Sequence, residues 1–157
     1  MDNIDNSDFI EIYNRNINAI YQICFMYMRN HHDAEDAVQT TFVKLMKKNV
    51  CFESLEHEKA WLIVTASNTC KNNLKYWFKS KVSHLIDDVA QEVKNDCTLE
   101  MILQMPEKYK LVFYLYYYQG YKIKEISSIL KINESTIKSL LRRGRDCLRK
   151  IIKEDYE

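Results

Sequence analysis

The first 104 residues contain neither glycine nor proline, and that gap constrains the fold more than any other feature of the chain. Tight hairpins, phosphate-cradling loops and dinucleotide-binding turns depend on glycine, which takes positive φ cheaply and lets a backbone approach a phosphate closely. Helix interiors need neither residue. The full 157 residues hold two glycines, Gly120 and Gly144, and one proline, Pro106, so the expected fold class is all-α. This length suits one compact domain or two small ones. No apolar run reaches the roughly 18 residues of a membrane span, and the acidic start (Asp2, Asp5) is unlike a secretory signal. A cytoplasmic protein with no membrane insertion is expected.

Side chains that usually carry catalysis or bind metal form no recognisable set. The five cysteines, Cys24, Cys51, Cys70, Cys97 and Cys147, are scattered without a C-x-x-C pair, which points to reduced, mostly buried thiols rather than disulfides or a zinc site. The four histidines lack an H-E-x-x-H spacing. With no nucleophile, base and orienting group in a readable arrangement, no enzymatic activity is expected, and neither a cofactor nor a metal is implied.

Charge is segregated along the chain behind a formal net charge of +1. Residues 1–58 sum to −5, 59–86 to +5, 87–107 to −5, 108–153 to +9 and the last four to −3. Two basic blocks separated by an acidic one suggest that phosphate is met at two places, with the acidic portions facing protein or solvent.

Apolar residues recur every three or four positions over 6–28 (Phe9, Ile12, Tyr13, Ile17, Ile20, Tyr21, Cys24, Phe25, Met28), which predicts a first helix. A second, capped by Asp33, runs to Lys48 with Ala37, Val38, Thr41, Phe42, Leu45 and Met46 as its stripe and lysines in its last turns. A third spans about 58–68, where the apolar register of Trp61 assigns it to the core, and a basic aromatic helix continues through Leu74, Trp77 and Phe78. This three- or four-helix domain covers 1–81. An acidic linker with at most one short helix follows over 82–98, its stripe being Val82, Leu85, Ile86, Val89 and Val93. A second small domain occupies 99–157. Pro106 at a first helical position and Gly120 just past the end bound one helix there.

Residues 123–130, the turn Lys131-Ile132-Asn133 and a helix from about Ser135 to Ile152 have the spacing of a helix-turn-helix. On its second helix Lys138, Arg142, Arg145 and Arg149 share one face, while Ile137, Leu140, Leu141, Leu148, Ile151 and Ile152 supply the packing face. A helix laid in the major groove needs that division, with short N-terminal side chains (Ser135, Thr136, Ser139) able to approach base edges.

Taken together these residues resemble the extracytoplasmic-function (ECF) group of sigma-70 RNA polymerase sigma factors. Asp33-Ala34-Glu35-Asp36-Ala37-Val38-Gln39 with Phe42-Val43-Lys44 is similar to that family's D-A-E-D-x-x-Q-E-x-F helix, and Trp61-Leu62 through Ala66-Ser67-Asn68 to its W-L-x-x-I-A-x-N segment. Met105-Pro106-Glu107-Lys108-Tyr109 resembles L-P-x-x-x-R, and Thr136 through Arg145 resembles T-V-K-S-R-L-x-R-G-R. The resemblance implies a region 2 domain and a region 4 helix-turn-helix. Its implied partners are core RNA polymerase, through the β′ clamp helices and the β flap, and promoter DNA, double-stranded and melted. An anti-sigma protein is a further class of partner.

It also implies roles. Asp33, Glu35, Asp36 and Gln39 would meet the polymerase. Asn68 would read a flipped base of the −10 element, with Lys44, Lys71, Asn72, Lys75, Trp77 and Lys79 supplying cations and rings for the melted strand. Glu134, Ser135, Thr136, Lys138, Ser139, Arg142, Arg143 and Arg145 would contact the −35 element. The chain departs from the pattern at Thr40 (usually Glu), Ser67 (often Arg), Leu140 (Arg) and Lys131 (a turn glycine). Lys131 is therefore expected to hold a left-handed conformation, costing on the order of 1 kcal/mol. The alternative function is a stand-alone helix-turn-helix regulator, which uses the C-terminal part alone, normally as a dimer on a palindrome.

Overall fold

The computed structural model describes residues 4–48, 51–80 and 101–155, and the side chains of all of these except 76–80 and 155. No strand occurs among the described residues. The chain divides into two compact units, Met1–Asp88 and Val89–Glu157. The linker expected over 82–98 and its short helix lie outside the described residues.

The first unit is built on three helices, α1 (Asn6–Met28), α2 (His31–Lys47) and α3 (Leu55–Ser80). Asp5 starts α1 by accepting from the Asn6 N–H at 2.7 Å. The helix ends where Arg29 turns left-handed, at φ 64° and ψ 16°, with its N–H bonded to the Phe25 carbonyl. Asn30, not Asp33, caps α2: its Oδ1 accepts from the Asp33 N–H at 2.9 Å, so the helix begins at His31. Asp33 sits one turn in, where its charge suits the positive helix end and its carboxylate accepts from Asn30 Nδ2 at 2.5 Å.

The core is filled by Ile20, Ile23 and Met26 of α1, Ala34, Ala37 and Leu45 of α2, and Leu62, Ile63 and Ala66 of α3. Met46, read as part of the α2 stripe, stands 61% exposed in the last turn of the helix. The basic aromatic stretch is no separate element: α3 runs through it unbroken for 26 residues. Cys24 and Cys70 are buried free thiols, and a hydrogen bond between them together with burial holds the Cys24 thiol far above the ordinary thiol range. Cys51, by contrast, is exposed, and Cys147 is only half-buried.

In the second unit residues 101–103 are helical, followed by α4 (Glu107–Phe113), a π-helical segment (Tyr114–Tyr118), α5 (Ile123–Leu130) and α6 (Glu134–Asp155). Pro106 is the extended residue before α4, at ψ 142°, one position ahead of the first helical site assigned to it. The regular helix expected between Pro106 and Gly120 instead widens at Tyr114, with the Gln119 N–H bonded to the Tyr114 carbonyl at 3.0 Å. Tyr114 and Leu115, adjacent in sequence, are both fully buried. Burial holds the Tyr114 phenol protonated well above the usual tyrosine range, with Gln119 Nε2 donating to its hydroxyl at 2.9 Å. Gly120 then turns the chain at φ 73°.

The turn between α5 and α6 carries the left-handed residue that was expected: Lys131 lies at φ 54° and ψ 45°, its N–H bonded to the Ser127 carbonyl. Ser127 Oγ also donates to the Ile132 carbonyl at 2.6 Å, which ties the turn to the helix before it. Ile126 of α5 and Ile137 and Leu141 of α6 are buried and fix how the two helices cross. Gly144 lies directly against the buried ring of Phe113, where a Cβ would stand 2.2 Å from Phe113 Cε2.

Candidate functional site

Three surfaces gather the residues that the sequence marked. On α2, Glu35, Asp36 and Gln39 are exposed while Ala34, Ala37 and Val38 are buried beneath them, so the helix offers an acidic and polar outer face on an apolar base. Asp33 is half-buried and occupied by Asn30. Glu35 and Gln39, one helical turn apart, line a groove of about 540 Å³ together with Val38 and with Tyr13, Asn18 and Gln22 of α1. Asn18 and Gln22 were not marked. Their signal in the sequence is two polar positions within the first helix's apolar pattern, and only the packing of α1 on α2 brings them beside Glu35. Asp36 does not line this groove, and His32 Nε2 stands 3.8 Å from its carboxylate. His32, Asp33 and Asp36 place three ligand-type atoms within 4.8 Å at this helix start.

On α3, Asn68 is the exposed residue in a stretch where Ala66, Ser67, Thr69 and Cys70 are all buried. Asn72 and Lys75, four and seven residues on, are also exposed and share its face, and Lys71 is half-buried beside them. Trp77 and Lys79 belong to the last turns of α3, and their side chains lie outside the described residues. Trp61 is half-exposed rather than core: Phe52 packs against it at 6.0 Å between ring centroids, and Lys48 Nζ stands 5.8 Å over its ring. Seven residues before Asn68, it extends the same face by two turns. Lys44 reaches α3 from α2, where its Nζ donates to Thr69 Oγ1 at 3.0 Å.

On α6, Glu134, Ser135, Thr136, Lys138, Arg142 and Arg143 are exposed and Ser139 is half-buried. Arg145 is exposed but engaged, its Nη1 donating to the Tyr117 hydroxyl at 3.1 Å. That hydrogen bond, more than the neighbouring charges, raises its guanidinium pKa above the ordinary arginine value. Arg149 pairs with Asp146 at 3.4 Å. The cationic face thus divides into Lys138 and Arg142, for which no such bond within the second unit is seen among the described side-chain contacts, and Arg145 and Arg149, which have partners. Ile152, assigned to the packing face, is instead 37% exposed. It lines an apolar groove of about 270 Å³ with Met101, Ile102, Phe113, Tyr117 and Leu148, rimmed by Arg145 and Arg149.

No described helix is long and apolar enough to cross a membrane. The family model for sigma-70 region 2 matches residues 12–78, and that for sigma-70 region 4 matches residues 95–148. The chain is 28% identical over 170 residues to the ECF RNA polymerase sigma factor SigW of Bacillus subtilis, covering 94% of this chain and 89% of that one. It is 27% identical over 152 residues to SigM of the same organism, covering 88% and 91% respectively. Among solved structures, the sigma factor RpoE of Bartonella quintana, crystallised with the anti-sigma factor NepR, shares the fold at a TM-score of 0.72 and 21% identity over 93% of this chain and 97% of that chain.

Proposed function

Because the chain belongs to the sigma-70 family of RNA polymerase sigma factors, in its extracytoplasmic-function group, we propose that its three surfaces divide the work of promoter-specific transcription initiation. It is a non-enzymatic factor that binds core polymerase and directs it to promoters. The observation that carries the division of labour is that a helix with an acidic and polar outer face and a basic, Asn-bearing helix stand on one unit while a helix-turn-helix with a cationic front stands on the other.

Core polymerase docks on the outer face of α2. Glu35, Asp36 and Gln39 supply carboxylate and amide partners for the β′ clamp helices, and the groove shared with Asn18 and Gln22 accepts a side chain from them. The apolar groove with Met101, Tyr117 and Ile152 on the second unit suits the β flap, since a concentrated exposed apolar surface marks a protein contact. Promoter DNA is met twice. Lys138, Arg142 and Arg143 hold phosphates of the −35 duplex while Glu134, Ser135, Thr136 and Ser139 approach base edges. At the −10 element Asn68 completes hydrogen bonds with one flipped base, and Lys71, Asn72 and Lys75 hold the strand beside it.

Domain limits of 1–81 and 99–157, with an acidic linker between, fit this reading, as does action in the cytoplasm, where core polymerase works. An anti-sigma protein is assigned as its regulatory partner. A stand-alone helix-turn-helix regulator would leave the region 2 unit without a role. In vitro transcription with purified core polymerase, on templates selected from a random-sequence library by the reconstituted holoenzyme, tests the assignment. Discrete run-off products that require this chain are expected. Products no different from core alone, with tight binding to a palindrome in the absence of polymerase, would favour the regulator instead.

A further inference from the structure

The Lys44–Thr69 contact joins the last turns of α2 to the segment of α3 that carries Asn68. Thr69 Oγ1 has two bonds: it donates to the Thr65 carbonyl at 2.8 Å and accepts from Lys44 Nζ at 3.0 Å. The threonine itself is 2% exposed, so its hydroxyl is not offered to a nucleotide. Lys44 is an exposed residue by contrast. Its ammonium has three N–H donors, and one of them is committed to Thr69.

Resting on the reading that α3 receives the melted −10 strand, we propose that Thr69 is a positioning residue for promoter melting: its hydroxyl holds the Lys44 ammonium against α3, one residue from Asn68, where the cation meets the phosphate beside the flipped base. A lysine on a flexible four-carbon stem loses much side-chain freedom when it grips a phosphate. One already bonded at its tip has given up part of that freedom before the strand arrives. The bond from Thr69 to the Thr65 carbonyl fixes which way the hydroxyl lone pairs point, and so where the ammonium sits. Lys71 and Lys75 arise from α3 itself; Lys44, like Lys48 over Trp61, reaches α3 from the end of the polymerase-binding helix. Lys44 thus ties the end of α2 to the strand-capturing helix, while the polymerase-facing residues of α2 lie nearer its start.

The test uses reconstituted holoenzyme and a labelled single-stranded oligonucleotide carrying the non-template −10 sequence of a library-selected promoter. Lys44→Met and Thr69→Val are each expected to weaken binding by about five-fold, the order of one ionic contact. Lys44→Met should also lower the slope of log affinity against log salt by about 0.7, the value for one phosphate contact on a single strand. The double variant should bind no more weakly than Lys44→Met alone, and Thr69→Ser, which restores the hydroxyl, should recover both affinity and slope. Core-polymerase affinity should stay unchanged throughout. Wild-type affinity and slope in Thr69→Val alongside a weakened Lys44→Met would overturn the positioning role. So would a Thr69→Ser variant as impaired as Thr69→Val, which would mark a packing role only. Asn68→Ala is the reference. Should it too leave oligonucleotide binding unchanged, the −10 reading of α3 itself falls; where it acts and Thr69→Val does not, only the present inference falls.

Discussion

Arg15 on α1 and Glu58 on α3 form a two-point ion pair, 2.8 Å from Nη2 to Oε2 and 3.1 Å from Nε to Oε1. The carboxylate is almost wholly buried, while the arginine side chain is 41% exposed. Beneath it, buried Asn16 donates to the same carboxylate at 2.7 Å and to the Ile12 carbonyl at 2.9 Å. One acidic group thus satisfies a solvent-facing cation and an interior amide, and locks the start of α3 against α1.

Glu58→Ala should cost about 1–3 kcal/mol, chiefly from leaving the Asn16 amide short of an acceptor inside the protein. The exposed Arg15 arm adds little, because solvent screens it. Thermal or urea unfolding followed by circular dichroism measures this. An unchanged midpoint would mean that water replaces the carboxylate at no cost.

Gly144→Ala should be more damaging than a helix-propensity scale suggests. Alanine is the better helix former by about 1 kcal/mol, yet its methyl group would enter the Phe113 ring. Overpacking of a filled core typically costs about 1–3 kcal/mol, so a net loss of stability is expected. Phe113→Leu in the same chain should recover part of it. A Gly144→Ala variant as stable as wild type would show that the ring moves aside freely.

Lys131→Gly should stabilise the second unit by roughly 0.5–1 kcal/mol. Glycine removes the Cβ strain of the left-handed residue, partly offset by its larger unfolded-state entropy. Arg29, at φ 64° after α1, is the matching site in the first unit and should respond in the same direction. Stability curves of the two single variants are the measurement, and a decrease in both would mean that the lysine and arginine stems contribute packing that glycine lacks.

These two positions also show where reading the chain succeeds and fails. Helix periodicity placed α1 and α5 at their observed bounds and α6 within three residues, because burial in a helical bundle is written directly as a three-four repeat. Lys131 was anticipated because the resembled family carries a turn glycine at that position. Arg29 was not, because neither it nor its neighbours carries the glycine that usually marks such a site. The π segment at Tyr114 escaped for a similar reason: tyrosines one after another read equally well as any helix, and the widened turn appears only once Gln119 has found the Tyr114 carbonyl. Asn68 was marked through the resemblance of residues 61–68 to the family's W-L-x-x-I-A-x-N segment, whereas Asn18, Gln22 and the Lys44–Thr69 bond depend on which helices touch. Charge counting likewise found the cations of α6 but had no means of telling that Arg145 is held by a tyrosine 28 residues away.

Replacing Asp36 and Gln39 together with alanine should weaken core-polymerase binding by about ten-fold or more while leaving helicity intact, since both side chains are exposed and the buried face of α2 is untouched. Adding Asn18→Ala extends the test across the groove, which Gln39 lines from α2 and Asn18 from α1. Titration of labelled protein with core polymerase decides it: wild-type affinity in the double variant would move the interface off this face.

The cations of α6 should differ in their response to salt. Neutralising a residue that neutralises one phosphate of duplex DNA lowers the slope of log affinity against log salt by about 0.9, whatever the sequence bound. Lys138→Ala and Arg142→Ala should each show that decrement on a −35 duplex. Arg145 already spends a donor on the Tyr117 hydroxyl, at the rim of the apolar groove, so Arg145→Ala should change the slope by clearly less. Tyr117→Phe separates the possibilities. It keeps the ring and removes the hydroxyl, freeing the guanidinium to swing toward the DNA, and should leave the slope unchanged or steepen it. If Arg145→Ala instead lowers the slope by the full amount and Tyr117→Phe lowers it as well, the tyrosine is holding the arginine in reach of a phosphate. Arg145 would then rank with Lys138 and Arg142 as a DNA-facing residue, and Tyr117 as the side chain that aims it.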